Sequence, residues 1–554
     1  MAKSSSTARR VAAGPACSCP GLSLIYGCAC GERRYVQLHA LSLASNGLKD
    51  LKASGLIEVL RMEDCALTSL DVSSNPLNGA MVLRALKFNT SLTYVNVRGT
   101  ELDDDGVRDF GAMLLTEGFV CPIKTLSCDH FEVRAETKAL SFANTQLGSP
   151  ILTLLFGILK LNEAITSLDL TGVGVDAAAM LALETALSVN RTLTKLDLRD
   201  NPALWAPTGS SAAASPADAV PPQEAGSKAL DALARGLHAN SSMRQVHVDA
   251  LSLPVPALKG QPQAAAAANS TAAPAPTELS YAASKDLSAV SAALLCALVE
   301  HNEVARRLDL SRNGAGAQLG PAVGRCLRGN TVLVDVRVAE AELKDEGVAA
   351  LAEGLAANER SRLRFLDLST NGIGQMGAAS LAGLLGSSKA LQKLDLGGNK
   401  LGNAGVTELM SGLSKNSTLA ALSLRDTDMD AGGGEAVARV MRESKSLTTL
   451  WLGKNRLGNE GVTALVDALL DAKYRSKLAT LDLHKNGLTK VGISSVTRLV
   501  EESPSLVALA LGGSKIQFTE TEVLQNAAKE NATIGRTKPV RMWMGTDLKN
   551  WPEL

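Results

Sequence analysis

The sequence of 554 residues lacks the features that mark several classes of protein. Its 56 acidic and 56 basic residues balance, and no basic stripe is interleaved with aromatic residues. A surface that tracks phosphates needs such a stripe. There is also no run of about 18 apolar residues, the length that a membrane-spanning helix requires. We therefore expect neither nucleic-acid binding nor membrane insertion.

Motifs of common enzyme classes are missing as well. The sequence has no phosphate-binding loop motif and no G-x-S-x-G motif, and its six histidines show no H-E-x-x-H spacing. Aspartates recur in Leu-Asp-Leu triplets, but they are explained as one position of a repeat, without an acid/base partner. The sequence thus predicts no enzyme and no cofactor.

Cysteine is sparse and odd in number, which argues against a disulfide framework. Nine cysteines are spread over the chain, several of them at apolar repeat positions. This usage favours a reducing compartment and predicts a cytoplasmic protein. The first 31 residues contain no acidic residue, faintly like an organelle transit peptide, but Gly14, Pro15 and Pro20 interrupt any amphipathic helix.

One cysteine cluster lies near the N-terminus, at Cys17, Cys19, Cys28 and Cys30. Four thiolates suit a tetrahedral zinc site, although two to four residues usually separate paired ligands. The alternative is an arm that covers the first coil of a repeat array, with small thiol side chains. The sequence leaves both interpretations open for residues 1–37.

What the sequence does contain is one repeated pattern. It is clearest at Leu391-x-x-Leu394-x-Leu396-x-x-Asn399-x-Leu401, which is followed by a glycine and by leucines at helical spacing. The first leucine of the pattern recurs at intervals of 28, 28, 28, 31 and 28 residues, at Leu363, Leu391, Leu419, Leu447, Leu478 and Leu506. Self-similarity of this period is typical of a solenoid.

Each unit predicts a short strand and then a helix. Leu394 and Leu396 alternate with polar residues, as in a strand with one buried face. The amide of Asn399 is expected to bond backbone groups of the turn that follows. The recurring glycine, Gly405 in this unit, predicts a tight start of the helix with close packing.

This pattern closely resembles the leucine-rich repeats of the ribonuclease-inhibitor type, which also occur in the sensor domains of Nod-like receptors and in Ran GTPase-activating proteins. The resemblance covers roughly residues 38–535. It implies an α/β fold, a curved solenoid or horseshoe with parallel strands on the concave face and helices on the convex face. Strands pack closer together than helices, which agrees with this curvature.

The predicted organisation has three parts. Residues 1–37 form an arm or cap, and residues 38–535 form the solenoid. Two insertions rich in Ala and Pro, at about 206–224 and 259–280, are expected to be disordered and to leave the repeats between strand and helix. Residues 536–554 form a tail with Trp543 and Trp551, which either caps the last coil or docks a partner.

A candidate interaction patch is predicted where the repeat departs from its usual residues. Trp451 replaces the common aspartate, and a tryptophan exposed at this position predicts a binding partner. The patch comprises Trp451, Arg425, Asp426, Lys454, His484 and Lys485, with Phe365 and Arg337 extending it toward the middle of the chain. The structural alternative is that Trp451 only packs over neighbouring side chains.

The function predicted from these features is a non-catalytic intracellular scaffold or adaptor that binds another protein through its concave face. The alternative is a GTPase activator of the Ran type, which the resemblance raises. Those proteins carry a strongly acidic C-terminal region, whereas residues 536–554 are mixed in charge. A structural component of a ciliary or cytoskeletal assembly is a further alternative.

Overall fold

A computed structural model describes residues 38–62, 65–119, 122–202, 222–262, 274–471, 473, 476–513, 518–530 and 539–544. The chain divides into two compact units, residues 1–137 with 149–164 and residues 138–148 with 165–554. Repeated strands and helices alternate in both units. The strands of the described residues form three sheets, whereas the sequence predicted one solenoid with two insertions.

The first unit contains one sheet and its helices. The strands are β1 (Ala40–Ser42), β2 (Ser69–Asp71), β3 (Tyr94–Asn96), β4 (Thr125–Ser127) and β5 (Glu132–Val133), in that order across the sheet. The helices are α1 (Asp50–Leu60), α2 (Gly79–Ala85), α3 (Asp104–Leu115) and, from its second residue onward, α4 (Gly148–Leu161). The last strand pairs antiparallel with its neighbour and so interrupts the parallel repeat.

The second unit begins with a sheet whose strands are β6 (Ala139–Ser141), β7 (Ser167–Asp169), β8 (Lys195–Asp197), β9 (Gln245–Val248) and β10 (Leu251–Pro254). Its helices are α5 (Ala177–Val189), α6 (Pro222–Ala239) and the short α7 (Val255–Leu258). Here too the last pair, β9 with β10, is antiparallel. A parallel ladder cannot continue through such a hairpin, which is why a new sheet follows.

The remaining strands form one ten-stranded parallel sheet in chain order. They are β11 (Glu278–Ser280), β12 (Arg307–Asp309), β13 (Asp335–Arg337), β14 (Phe365–Asp367), β15 (Lys393–Asp395), β16 (Ala421–Ser423), β17 (Thr449–Trp451), β18 (Thr480–Asp482), β19 (Ala508–Ala510) and β20 (Arg541–Trp543). The helices between them are α8 (Ala289–Val299), α9 (Leu319–Gly329), α10 (Lys344–Ala356), α11 (Gln375–Ser387), α12 (Gly402–Leu413), α13 (Ala431–Glu443), α14 (Gly458–Leu469), α15 (Lys490–Glu502) and α16 (Phe518–Glu530).

The repeated leucines build the core, as the sequence predicts. Leu394 in the middle of β15 and Leu396 just beyond it are fully buried, and Leu409 and Leu413 of α12 are buried as well. The three-residue strands of the parallel sheets thus direct the middle residue to one face and the first and third residues to the opposite face. This alternation creates the face on which the candidate site lies.

The repeated asparagine links neighbouring coils. Asn399 is fully buried, and its amide nitrogen donates to the carbonyl of Leu368 in the preceding coil and of Leu396 in its own, both at 2.9 Å. Its side-chain oxygen accepts from the backbone N–H of Asn371 at 2.8 Å and of Ile373 at 3.1 Å. The amide therefore satisfies turn groups that no ladder reaches, and it does so across two coils.

The repeated glycine lies inside the first turn of the helix and not at its start. Helix α12 begins at Gly402, and Gly405 is its fourth residue. A Cβ added at Gly405 would lie 3.4 Å from the Cβ of Ala378 in α11. The predicted close packing is therefore between successive helices, which a larger side chain would push apart.

The structure corrects the predicted boundaries of both insertions. Helix α6 already begins at Pro222, within the first predicted insertion, and β11 occupies the end of the second. The second insertion also follows α7 and precedes β11, so it leaves the chain between helix and strand, contrary to the prediction. The β9–β10 hairpin takes the place of a standard repeat there. Its sequence lacks the leucine pattern from which the repeats were predicted. Residues 206–221 and 263–273 of the predicted insertions lie outside the described residues.

The structure also corrects the prediction for the C-terminal tail. Residues Arg541–Trp543 form β20, which pairs in parallel with β19. The repeat pattern of strands therefore continues beyond residue 535. Trp551 lies outside the described residues, as do residues 1–37 with their predicted arm.

Candidate functional site

The candidate site lies on the strand face, defined as the surface formed by the first and third residues of β11–β20. Hydrogen-bonded register places these residues in two rows across the sheet. The third-residue row reads Ser280, Asp309, Arg337, Asp367, Asp395, Ser423, Trp451, Asp482, Ala510 and Trp543. A backbone ladder holds these side chains at fixed spacing, which suits recognition of a partner.

Arg337 and Phe365 form a group of their own near the middle of the sheet. The guanidinium carbon of Arg337 lies 5.1 Å from the Phe365 ring centre, a cation–π distance. Arg337 also pairs with Asp335 at 3.2 Å, and Asp335 accepts from Arg307 at 2.8 Å. Both Phe365 and Arg337 are half-buried, so the aromatic ring is already covered in part by its own chain.

The acidic row continues with Asp367 and Asp395 on adjacent strands. Burial raises the pKa of the Asp395 carboxyl, and the neighbouring Asp367 carboxylate raises it further, although the backbone N–H of Gly397 donates to Asp395 at 2.8 Å and Ser423 also bonds it. The sequence predicted these aspartates as solvated strand positions. Asp395 is half-buried between adjacent coils, and for Asp482 of the same row the prediction is wrong, because Asp482 is fully buried.

Trp451 is buried, with 3% of its surface exposed, although the sequence predicted an exposed ring. It packs in a cluster with Ala421, Ala508 and Ala510, and Trp543 packs against the same cluster. Small alanines on the neighbouring strands leave space for the indole, and this space could not be known from the repeat containing Trp451. The argument that an exposed ring demands a partner therefore does not apply.

Arg425, Asp482 and His484 form a buried network above Trp451. The Nε of Arg425 donates to Asp482 at 2.6 Å, and Asp482 is fully buried. The other carboxylate oxygen of Asp482 lies 2.7 Å from Nδ1 of His484, a residue that is itself buried. Because Arg425 lies two coils from Asp482, its side chain extends over β17, with its guanidinium carbon 6.0 Å from the Trp451 ring centre.

Gly453 makes this network fit. A Cβ at Gly453 would collide with the imidazole of His484 and would lie 2.7 Å from the Asp482 carboxylate. Asp482 and Gly453 were not predicted as site residues. A usable signal was present: a basic residue two positions after a strand aspartate, as in Asp482 with His484, also forms a direct pair at Asp197 with Arg199, at 2.7 Å.

Asp426, Lys454 and Lys485 are exposed and occupy one structural position in three successive turns. Each has a left-handed backbone, with φ of 55°, 58° and 52° respectively. Gly398 holds the same position in an earlier coil, with φ of 74°. The three charged side chains thus line the edge where the strands of the Trp451 region end.

The predicted patch therefore divides into two groups. Trp451, Arg425 and His484 are brought together, and Asp426, Lys454 and Lys485 lie at the strand ends beside them. Phe365 is three strands from Trp451, about 14 Å at the usual strand spacing, and Arg337 is one strand farther. These two residues do not belong to the Trp451 cluster.

The predicted zinc ligands Cys17, Cys19, Cys28 and Cys30 lie outside the described residues. Within the described ranges, no group of three or more His, Cys, Asp or Glu residues is arranged to hold a metal ion. Cys65, Cys128, Cys296 and Cys326 are free thiols there. Across those same residues, no helix combines the length and apolar character needed to cross a membrane.

Comparison with known proteins identifies the repeat. A family model described as Leucine Rich repeat matches residues 88–111, 189–202, 387–410 and 443–466. The ribonuclease inhibitor of Sus scrofa is 25% identical over 249 residues, covering 45% of this chain and 48% of the inhibitor. The human NACHT, LRR and PYD domains-containing protein 2 is 36% identical over 95 residues, covering 17% of this chain and 9% of that protein.

The chain thus spans less than half the length of these curated relatives. Among solved structures, Leiomodin-1 Actin-Binding Site 2 matches with 20% identity and a TM-score of 0.22, covering 26% of this chain and 82% of that chain. The tropomodulin C-terminal domain of Caenorhabditis elegans matches with 15% identity and a TM-score of 0.25, covering 28% of this chain and 95% of that chain. Similarity at these TM-scores supports no functional argument.

Proposed function

Because this chain is a leucine-rich repeat protein of the ribonuclease-inhibitor type, we propose that it is a non-catalytic scaffold that binds a partner protein through the strand face of its ten-stranded sheet. Leucine-rich repeats form extended surfaces of this kind, and proteins built from them generally bind other proteins. The partner is expected to contact the part of the strand face formed by β16–β18 and the turns that follow them.

One observation carries this proposal: Arg425, in the turn after β16, meets Trp451 at the end of β17, beside three exposed charged turn residues. Arginine and tryptophan are the residue types that most often dominate binding energy. Arg425 remains one-third exposed while its charge is held by the buried Asp482.

The exposed residues provide the rim of this surface. Lys454 and Lys485 are held in defined turns, and charged groups at the rim of an interface guide association and partner choice. We place the protein inside the cell as part of the same proposal, since the free thiols of Cys65, Cys128, Cys296 and Cys326 suit a reducing compartment.

The test is quantitative affinity capture with two charge-reversal variants of the whole chain. Lys454→Glu with Lys485→Glu changes the rim of the strand face, and we expect it to reduce capture of a specific partner at least tenfold. The matched control is Lys415→Glu with Lys445→Glu, which has the same net charge and changes exposed residues in the connections between helix and strand. We expect the control to capture the partner like the parent protein.

Retention of every captured protein by the strand-face variant would contradict the proposal. Equal loss in both variants would also contradict it, because the effect would then come from net charge alone. Any small GTPase recovered is tested for accelerated GTP hydrolysis. Acceleration that both variants retain would favour the Ran-type alternative.

A further inference from the structure

Two hydrogen-bond donors in the Trp451 cluster have no acceptor. Trp451 Nε1 and Arg425 Nη2 are both buried, and neither bonds any atom of the described residues. Buried polar groups are almost always paired, so two unpaired donors on side chains in contact are unusual. Both belong to the same small region of the strand face.

The arrangement follows from how Arg425 is held. Its Nε bonds Asp482, which already accepts from the backbone N–H of His484 at 3.0 Å and from the His484 ring. Asp482 therefore accepts three hydrogen bonds, none of them from Arg425 Nη2, which is left without an acceptor. Gly453 adds no side chain that might serve as acceptor.

We propose that this site receives a carboxylate from an acidic segment of the partner protein, which accepts from Arg425 Nη2 and Trp451 Nε1 together. This inference rests on the proposed function and identifies the chemistry of its partner. The Arg425 side chain is one-third exposed and its guanidinium carbon lies 6.0 Å from the Trp451 ring centre, so the guanidinium must turn outward for the carboxylate to reach Trp451 Nε1.

Geometry and charge both favour a carboxylate. The guanidinium fork matches a planar oxyanion, and hydrogen bonds to a charged acceptor are stronger than neutral ones. The site and its rim contain three basic residues, Arg425, Lys454 and Lys485, and two acidic residues, Asp426 and Asp482. The excess is one positive charge before His484 is counted. A carboxylate completes the charge balance, whereas a basic segment would oppose it.

The experiment follows the indole N–H resonances of the full chain by nitrogen–proton correlation spectroscopy. The sequence has four tryptophans, and the resonance lost in Trp451→Phe assigns Trp451. The probe is an acetylated hexaglutamate peptide. We expect it to move the Trp451 resonance downfield, as a new hydrogen bond does, and to leave the other indole resonances unchanged.

Two variants measure what each donor contributes. Trp451→Phe keeps an aromatic ring but removes the five-membered ring of the indole together with its N–H, and we expect it to weaken hexaglutamate binding at least fivefold, about the effect of one hydrogen bond. Arg425→Lys keeps a cation beside Asp482 but loses the fork, and we expect a loss of about fivefold or more. Circular dichroism verifies that both variants are folded.

The controls distinguish binding of a peptide carboxylate from other causes of a shift in the Trp451 resonance. Hexaglutamine at the same concentration should leave the Trp451 resonance in place, and so should inorganic phosphate, if a peptide carboxylate is the ligand. The paired variant Asp547→Asn with Glu553→Gln removes the acidic side chains that follow β20. A Trp451 resonance that moves when these are changed, without any peptide, would assign the site to the chain's own acidic residues and overturn the proposal.

An unmoved Trp451 resonance at saturating hexaglutamate would likewise overturn it, as would equal affinity in Trp451→Phe and the parent protein. The proposed function fails by a different result. Suppose that the Lys454→Glu, Lys485→Glu variant loses the partner while Trp451→Phe and Arg425→Lys still bind it. That result would support the scaffold proposal and contradict the carboxylate site.

Discussion

Single residues with the same place in the repeat have different surroundings in this protein. Asp395 and Asp482 both occupy the third position of their strands, in the same Leu-Asp-Leu pattern. Asp482 bonds Arg425 and His484, whereas Asp395 lies beside the carboxylate of Asp367. Arg425 and Asp367 come from other coils, so the state of each aspartate depends on a residue far away in the sequence.

This difference predicts a pH dependence for Asp395. Its folded-state pKa is raised above the ordinary value of 3.8, so the stability it contributes is complete below about pH 3.8 and is lost as pH rises through the folded-state pKa. Asp395→Asn should therefore unfold at higher denaturant concentration than the parent protein at pH 7. The advantage should disappear toward pH 4.

Urea unfolding of both proteins at a series of pH values measures this effect. Glu408→Gln removes an exposed carboxylate from α12 and serves as the control, with no expected difference at either pH. An advantage of Asp395→Asn that persists unchanged at pH 4 would contradict the role of the raised pKa.

At the scale of elements, the helices pack against one another through glycines that a helix would not otherwise favour. Gly412 of α12 is buried, and a Cβ there would lie 2.6 Å from the Ala382 carbonyl carbon in α11. Gly383 of α11 is exposed, and a Cβ there would meet nothing within 4 Å. Both are glycines in a helix interior, but only Gly412 is required by packing.

We predict opposite effects of alanine at these two positions. Gly412→Ala should destabilise the second unit by about 1–3 kcal/mol, because the backbones of α11 and α12 must separate. Gly383→Ala should stabilise it by about 0.8–1 kcal/mol, because alanine favours the helix and meets no neighbour. Thermal and urea unfolding of the two variants check the signs, and a gain in stability from Gly412→Ala would contradict the packing.

At the scale of the whole molecule, the chain consists of two units, each with its own core. In the first unit, the buried Lys160 of α4 donates to three carbonyls at the end of α3, those of Leu114 at 3.0 Å, Leu115 at 3.2 Å and Thr116 at 2.8 Å. Burial lowers the pKa of Lys160. The ammonium group satisfies carbonyls that the helix itself leaves unpaired.

We predict that Lys160→Ala affects the first unit alone. Losing these bonds should destabilise it by about 2–3 kcal/mol, since the carbonyls stay buried without a donor. Hydrogen exchange followed by mass spectrometry should show faster exchange in residues 104–119 and 149–161 and unchanged exchange in residues 363–430. Lys124→Ala, which removes an exposed lysine of the same unit, is the control. Equal acceleration in both units would contradict this prediction.

The sequence alone determined the repeat class, the alternation of strand and helix, the buried leucines and the role of the asparagines. These follow from local periodicity, because each repeat buries the same positions against the next one. It also located the region of Trp451, Arg425 and His484 from their departure from the pattern.

Only the tertiary structure decided which of those side chains are exposed and which are paired. Ala421, Ala508 and Ala510 bury Trp451, and Arg425 reaches Asp482 across an entire coil. The repeat pattern also did not predict the two antiparallel hairpins that end the first two sheets. The contacts of Trp451 and Arg425 join residues from different coils, such as Arg425 and Asp482, which are 57 positions apart. A periodic pattern carries no information about which side chains the neighbouring coils will supply.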